Sequence, residues 1–262
     1  MANGRRRTQE PVGDNEVKLS NYPNFAEAMV ECWDRAPNVT LRIDRAEHMA
    51  PVVVEGFKGL TIAGMGTSKW PDSPWPPSEK SGILYTNPST GPLLSFVDCE
   101  DLKIRDLCLQ VAGSTEPLTG IDLTRCHKAS LRDVMLYTAG HRGVGIHLKG
   151  SLRVSMFGLD TRGWDTTVQL SKVDGFRSNA CGLYHSRLYS QRIGIHVVED
   201  GASSLSLHGC TIEGSTECGA LIEEENCNLF DFGSHWENKD APSHVKLARG
   251  GVFGNSRFNA IA

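Results

Sequence analysis

Three residues with acid–base chemistry recur at one place in a short motif. Asp122 is the third residue of Gly120-Ile121-Asp122-Leu123, His147 of Gly145-Ile146-His147-Leu148, and His196 of Gly194-Ile195-His196-Val197. In a strand whose Ile and Leu or Val positions face a core, the residue between them faces out. Asp122, His147 and His196 therefore share one outward column. Asp122 and His147 lie one repeat apart, about 4.8 Å if successive repeats stack as neighbouring strands. A carboxylate at that spacing can orient an imidazole, and imidazole is the usual general base near neutral pH. The same outward position holds Ser95, Gln169, Leu221 and Lys246, and Thr124, Lys149 and Ser171 follow one outward step later. The plainer reading is a solvated polar ladder, which any outward strand position allows, and Gln169 and Lys246 fit it best.

The segments between motifs add further groups. Arg142, in the loop before His147, and Lys149, beside it, are placed to bind an anion. The loops also carry Tyr137 and His141, then Asp160, Arg162, Trp164 and Asp165, then Tyr189, Gln191 and Arg192. Arg142, Arg162 and Arg192 fall in successive loops, so they either offer forks to the carboxylates of an acidic polymer or act as solubilising charges. The longest loop, between Thr67 and Leu93, is stiffened by prolines and holds Trp70 and Trp75. Such indoles either stack on the apolar face of a sugar or pin the loop to the body of the protein. Glu213, Glu217 and Glu223-Glu224-Glu225 make the far end acidic, but nothing fixes a set of oxygen ligands. No metal is assigned, and nothing calls for a cofactor.

The elements that must hold these residues are set by a period of about 25 residues, and such a period means a solenoid. Ahead of each motif runs a second signature: Leu60-x-Ile62-x-x-Met65, Leu102-x-Ile104-x-x-Leu107-x-Leu109, Ala129-x-Leu131-x-x-Val134-x-Leu136, Leu152-x-Val154-x-x-Phe157-x-Leu159. It returns as Cys181-x-Leu183-x-x-Ser186-x-Leu188 and Leu205-x-Leu207-x-x-Cys210-x-Ile212, and more loosely twice more. Each signature reads as two short strands separated by too few residues to reverse direction but enough to bend a corner. With the Gly-Ile-x-Leu strand, one repeat supplies three strands and three turns. Seven or eight such rungs make a rod on the order of 35–40 Å long. This is an all-β, single-stranded parallel β-helix, expected over about residues 39–258 within a domain spanning 21–262. Residues 1–20 lack periodicity and read as a loosely held arm. Asn24 is placed to cap a helix over about 24–36, whose stripe of Phe25, Ala28, Met29, Cys32 and Trp33 covers the first rung. Arg105-Asp106 and Arg132-Asp133 repeat in register and predict a short ladder of ion pairs.

Composition excludes several classes. A net charge of −4 gives no field broad enough to recruit nucleic acid. No apolar run approaches the ~20 residues that cross a bilayer, and a membrane partner is not expected. The opening MANGRRRTQE has no apolar core of a secretory signal, so the chain as given is not marked for export and its compartment stays open. The 8 cysteines show no CxxC pair. Cys181 and Cys210 read as inward core residues, and Cys99 and Cys126, at equivalent turns within bonding reach, as a pair of stacked thiols, with a disulfide as the alternative.

The whole pattern, cap helix included, resembles the right-handed parallel β-helix of the pectin-lyase-like superfamily, which includes pectate lyases and tailspike-like proteins. The paired aspartates, Gly-His-Gly and Arg-x-Lys of polygalacturonases are absent, as is the Arg-x-Pro-x-x-Arg of pectate lyases, so no activity is carried over by motif. The resemblance implies a ligand groove along the strand after the variable loop, with the loops as walls. Its floor would be the outward residues Ser95, Asp122, His147, Gln169, His196, Leu221 and Lys246, with Thr124, Lys149 and Ser171 one position further out. The expected function is binding of an acidic polysaccharide or glycan, with cleavage by β-elimination or epimerisation: His147 or His196 as base, Asp122 as its orienter, Arg142 and Lys149 neutralising a uronate, and Tyr137, Trp70, Trp75, Trp164, Gln169 and Arg192 as further substrate contacts. The alternative is a non-catalytic adhesin or tail-fibre module that assembles with other copies through the end after Phe258, where an uncovered rung is an aggregation hazard. A small-molecule isomerase or cyclase is a third reading.

Overall fold

The computed structural model describes residues 15–48, 50–66, 82–86, 91–112, 118–138, 143–198, 200–223, 225, 227–238, 240–247 and 252–258. These residues form a right-handed parallel β-helix of about eight turns with one α-helix. Each turn carries three strands. The first-face strands run from Thr61–Ala63 through Lys103–Arg105, Ser130–Arg132, Ser155–Phe157, Cys181–Tyr184 and Ser204–His208. The second face is built by Cys108–Ala112, Met135–Thr138, Thr211–Glu213 and the opening halves of Asp160–Ser171 and Arg187–Val197. The third face holds Val52–Glu55, Pro92–Val97, Leu118–Thr124, Gly143–Lys149, the closing halves of those two long strands, Cys218–Ile222 and Ser243–Leu247.

Stacking is residue on residue. Leu94, Ile121, Ile146, Val168, Ile195 and Ala220 are register partners in turn, and all are fully buried. Phe96, Leu123, Leu148, Leu170, Val197 and Ile222 form a parallel stack two residues on. Each such side chain contributes roughly 1.5–3 kcal/mol by leaving water.

The corners are made by single residues in the left-handed region. After the third face these are Asp98 and Arg125; before the first face, Asp101, Lys128 and Arg153; between first and second faces, Asp106, Asp133, Gly158, His185 and Gly209. Each donates its backbone N–H to the next rung, as in Asp106 to Arg132 O, Asp133 to Phe157 O and Gly158 to Tyr184 O. The bend therefore leaves no orphaned donor.

The helix, α1, spans Phe25–Asp34, with the Asn24 side chain accepting from the Glu27 N–H at 3.0 Å. Phe25, Ala28 and Cys32 are buried, whereas Trp33 stays 54% exposed and meets Phe57 edge-on. Two expectations change. Glu16–Lys18 is a strand paired in parallel with Thr40–Arg42, so structure begins before residue 21. Within the long segment read as a loop from Thr67 to Leu93, Gly82–Thr86 is a second-face strand between Ala46–His48 and Cys108–Ala112. Its Gly-Ile-Leu-Tyr-Thr run lacks the spacing of the signature, which concealed it. Of the expected two-rung ladder, Arg105–Asp106 pairs at 2.8 Å, whereas Arg132 lies over the Phe157 ring, 5.2 Å from its centroid, so the ladder does not form. All eight cysteines are free, Cys99, Cys126, Cys181 and Cys210 being buried.

Candidate functional site

The outward column of the third face stands as the alternation requires. Ser95, Asp122, His147, Gln169, His196, Leu221 and Lys246 are consecutive register partners, and Thr124, Lys149 and Ser171 form the adjoining column. The backbone places them; the side chains then choose partners across columns.

Asp122 is 1% exposed. Its Oδ2 lies 2.5 Å from Lys149 Nζ, and its Oδ1 accepts from the Thr124 hydroxyl at 2.6 Å. A buried carboxylate needs such a counter-charge and donor. In this arrangement the Asp122 oxygens meet Lys149 and Thr124, while the carboxylate still acts on His147 through its charge. By the same contact Lys149 already holds a carboxylate from its own chain.

His147 turns instead toward Ser171 and Gln169. Its Nε2 lies 2.8 Å from Ser171 Oγ and 3.4 Å from Gln169 Nε2. A hydroxyl and a side-chain amide thus stand beside the same ring nitrogen. Burial, with the Lys149 charge next, pushes the His147 pKa down to about 4 against an opposing pull from Asp122. The imidazole is thus a free base across the neutral range. His196, two rungs on, pairs through Nε2 with Glu223 Oε2 at 2.9 Å.

The remaining candidates divide. Trp164, expected in a loop beside the groove, is fully buried, its Nε1 donating to Leu136 O at 3.2 Å. Pairing with the next rung shifts register on both sides of Trp164, and Gly163, at φ 86°, marks the bend. The irregularity turns the indole inward, where a side chain on Gly120 or Gly145 would press on it at 3.1 and 3.3 Å. The glycine that opens the motif leaves room for this ring, and Gly219 does the same beneath Trp236. Tyr137 is half-buried in the second-face column ahead of Arg162 and Tyr189, and the Arg162 guanidinium lies 5.2 Å from the Tyr189 ring centroid. Arg192 is held between Glu217, 2.8 Å, and Asp165, 3.7 Å. Trp70, Trp75 and Arg142 lie outside the described residues. At the acidic end Glu213 meets Arg187 at 2.5 Å, so Glu213, Glu217 and Glu223 each face a basic side chain. Among the described residues no three ligating side chains gather around a cation position. Sequence reasoning placed Ser171 on the adjoining column but missed its contact with His147, which depends on a diagonal between rungs.

No protein-family model matches the chain, and no curated protein matches it in sequence. Solved structures match its fold. The enzymatically active domain of tailspike protein 2 from bacteriophage CBA120 superposes with a TM-score of 0.66 at 11% identity, covering 90% of this chain and 37% of that one. The Streptococcus pneumoniae surface adhesin PfbA gives 0.58 at 10% identity, over 92% of this chain and 73% of its own. An exopolygalacturonase from Thermotoga maritima gives 0.53 at 12%, over 95% and 80%. The architecture is thus the parallel β-helix that these structures share, and the chain spans little more than a third of the tailspike domain it matches.

Proposed function

We propose that this protein binds a polysaccharide along the third face, with His147 at the centre of the contact. The observation that carries this reading is the uninterrupted column Ser95–Asp122–His147–Gln169–His196, one polar side chain per rung. Ser95 and Asp122 are buried, so a polymer laid along the axis would meet the half-exposed His147, Gln169 and His196, spaced about 4.8 Å apart. The similarity to a tailspike, an adhesin and an exopolygalacturonase supports a sugar polymer as ligand. With its pKa lowered to about 4, His147 meets the polymer as a neutral imidazole across the neutral range. Lys149, one of the two cations expected to neutralise a uronate, already carries a carboxylate partner, as does Arg192 among the further expected contacts; the other cation, Arg142, lies outside the described residues. That favours a polymer held through hydroxyl, amide and imidazole contacts over β-elimination of an acidic one. The same observation favours, as second reading, a non-catalytic adhesin-like module.

A glycan array probed with the wild-type protein and with His147→Ala and Gln169→Ala tests the binding. Retention on one polymer class, weakened about tenfold or more in both variants, is expected; equal retention of all three proteins would refute the site. Uronic-acid polymers followed by ultraviolet absorbance of the unsaturated product test elimination, and growth of that signal, lost in His147→Ala, would restore the lyase.

A further inference from the structure

We propose that Ser171 and His147 form a nucleophile–base pair that hydrolyses carboxylic esters, the substrate class being an O-acylated sugar of the polymer bound on the third face. The step rests on the proposed function for the sugar, but the chemistry rests on the pair itself.

The geometry carries four parts. Ser171 Oγ lies 2.8 Å from His147 Nε2, within the reach of a hydroxyl and its base. Gln169 Nε2 stands 3.4 Å from the same nitrogen, so a side-chain amide flanks the pair. Ser171 is only half-buried, open enough for attack on an incoming carbonyl. Lys149 is the register partner of Ser171 on the neighbouring strand. Asp122, paired to that lysine, keeps its ammonium in place. Nothing in the polysaccharide-binding reading uses Ser171.

The reaction closes without any further reagent. Ser171 Oγ attacks the ester carbonyl carbon while His147 Nε2 takes the hydroxyl proton. The bond from carbonyl carbon to sugar oxygen breaks, and the sugar hydroxyl leaves with the proton returned by His147. Water, deprotonated by His147, then attacks the acyl-serine, releasing the carboxylic acid and restoring Ser171.

The test is active-site labelling of the full chain with a fluorophosphonate at pH 7, read by peptide mass mapping, beside hydrolysis of p-nitrophenyl acetate. A single adduct on the peptide holding Ser171 is expected, absent in Ser171→Ala and formed about 100-fold more slowly in His147→Ala. Ser171→Cys guards against loss of fold: its thiol should be alkylated by iodoacetamide at least tenfold faster than in the Ser171→Cys/His147→Ala double variant. No adduct at Ser171, or equal alkylation in the two cysteine variants, overturns the proposal. Glycan retention by the wild-type protein is measured in parallel: retention without labelling removes the ester chemistry alone, and labelling without retention keeps that chemistry while removing the polymer reading.

Discussion

Two outward columns of the same coil have opposite characters. On the first face Phe157, Tyr184, His208 and Phe232 are register partners whose rings stack at 4.4, 4.9 and 4.8 Å, with Arg132 over the first. On the third face the equivalent run is Asp122, His147, Gln169 and His196, one chemical type after another. A coil offers each side chain its neighbours directly above and below, so stacking like on like is the default. The aromatic column takes that default, and its ring faces are spent on one another. The polar column does not: Asp122 and His147 turn aside to Lys149 and Ser171, and what results is a set of unlike groups around a basic nitrogen. Departure from the stacking default, rather than polarity, distinguishes the candidate site.

That contrast can be broken at several points. The largest effect is expected from Lys149→Ala, which strands the Asp122 carboxylate at 1% exposure with only the Thr124 hydroxyl; about 3 kcal/mol of stability should be lost in urea unfolding, and Lys149→Ala/Asp122→Asn should recover much of it. Next comes pH. The folded pKa of His147, about 4, lies below the unfolded value of about 6.5, so the unfolded chain takes up the proton first. The contribution is fully present above about pH 6.5 and is lost as pH falls toward 4, on the order of 3 kcal/mol, and His147→Gln should flatten that part of the profile. Direct titration of the imidazole by nuclear magnetic resonance should give a midpoint near 4, and a midpoint near 6.5 would remove the argument. In the aromatic column, Tyr184→Ala deletes two stacked contacts and should cost about 1–3 kcal/mol in unfolding midpoint without changing glycan retention. Phe232→Ala, at the exposed end of the stack, should cost less than about 1 kcal/mol, and any loss of glycan binding there would shift the contact surface to the first face.

The fold was legible because its rule is a period and an alternation, and both survive in Gly145-Ile146-His147-Leu148 as plainly as in Gly120-Ile121-Asp122-Leu123. The columns followed, since register partners are fixed by the backbone. What could not be read is what rotamers and bulges decide. Asp122 and His147 do stand one rung apart, yet the carboxylate bends to Lys149 because an ammonium two residues further along the next strand offsets more of its burial cost. Trp164 looked like a loop aromatic because the irregularity beside it reverses the side chain's face, and alternation counts wrongly across such a step. A signal was present in the glycines at 120 and 145, whose missing side chains make space for an indole.

The left-handed corner residues carry one more consequence. Asp98 and Arg125 hold the same conformation and hand their N–H groups to the same place on the next rung, Thr124 O and Lys149 O. The chain can therefore be spliced at these corners like a coiled spring cut and rejoined at matching points. Excising residues 99–125, so that Asp98 leads into Cys126, should yield a shorter molecule that still closes. The operation would take Asp122 out and bring Ser95 against His147, leaving Lys149 with no carboxylate from the previous coil. Length and site composition are in this sense a single inherited variable, altered together whenever a coil is gained or lost.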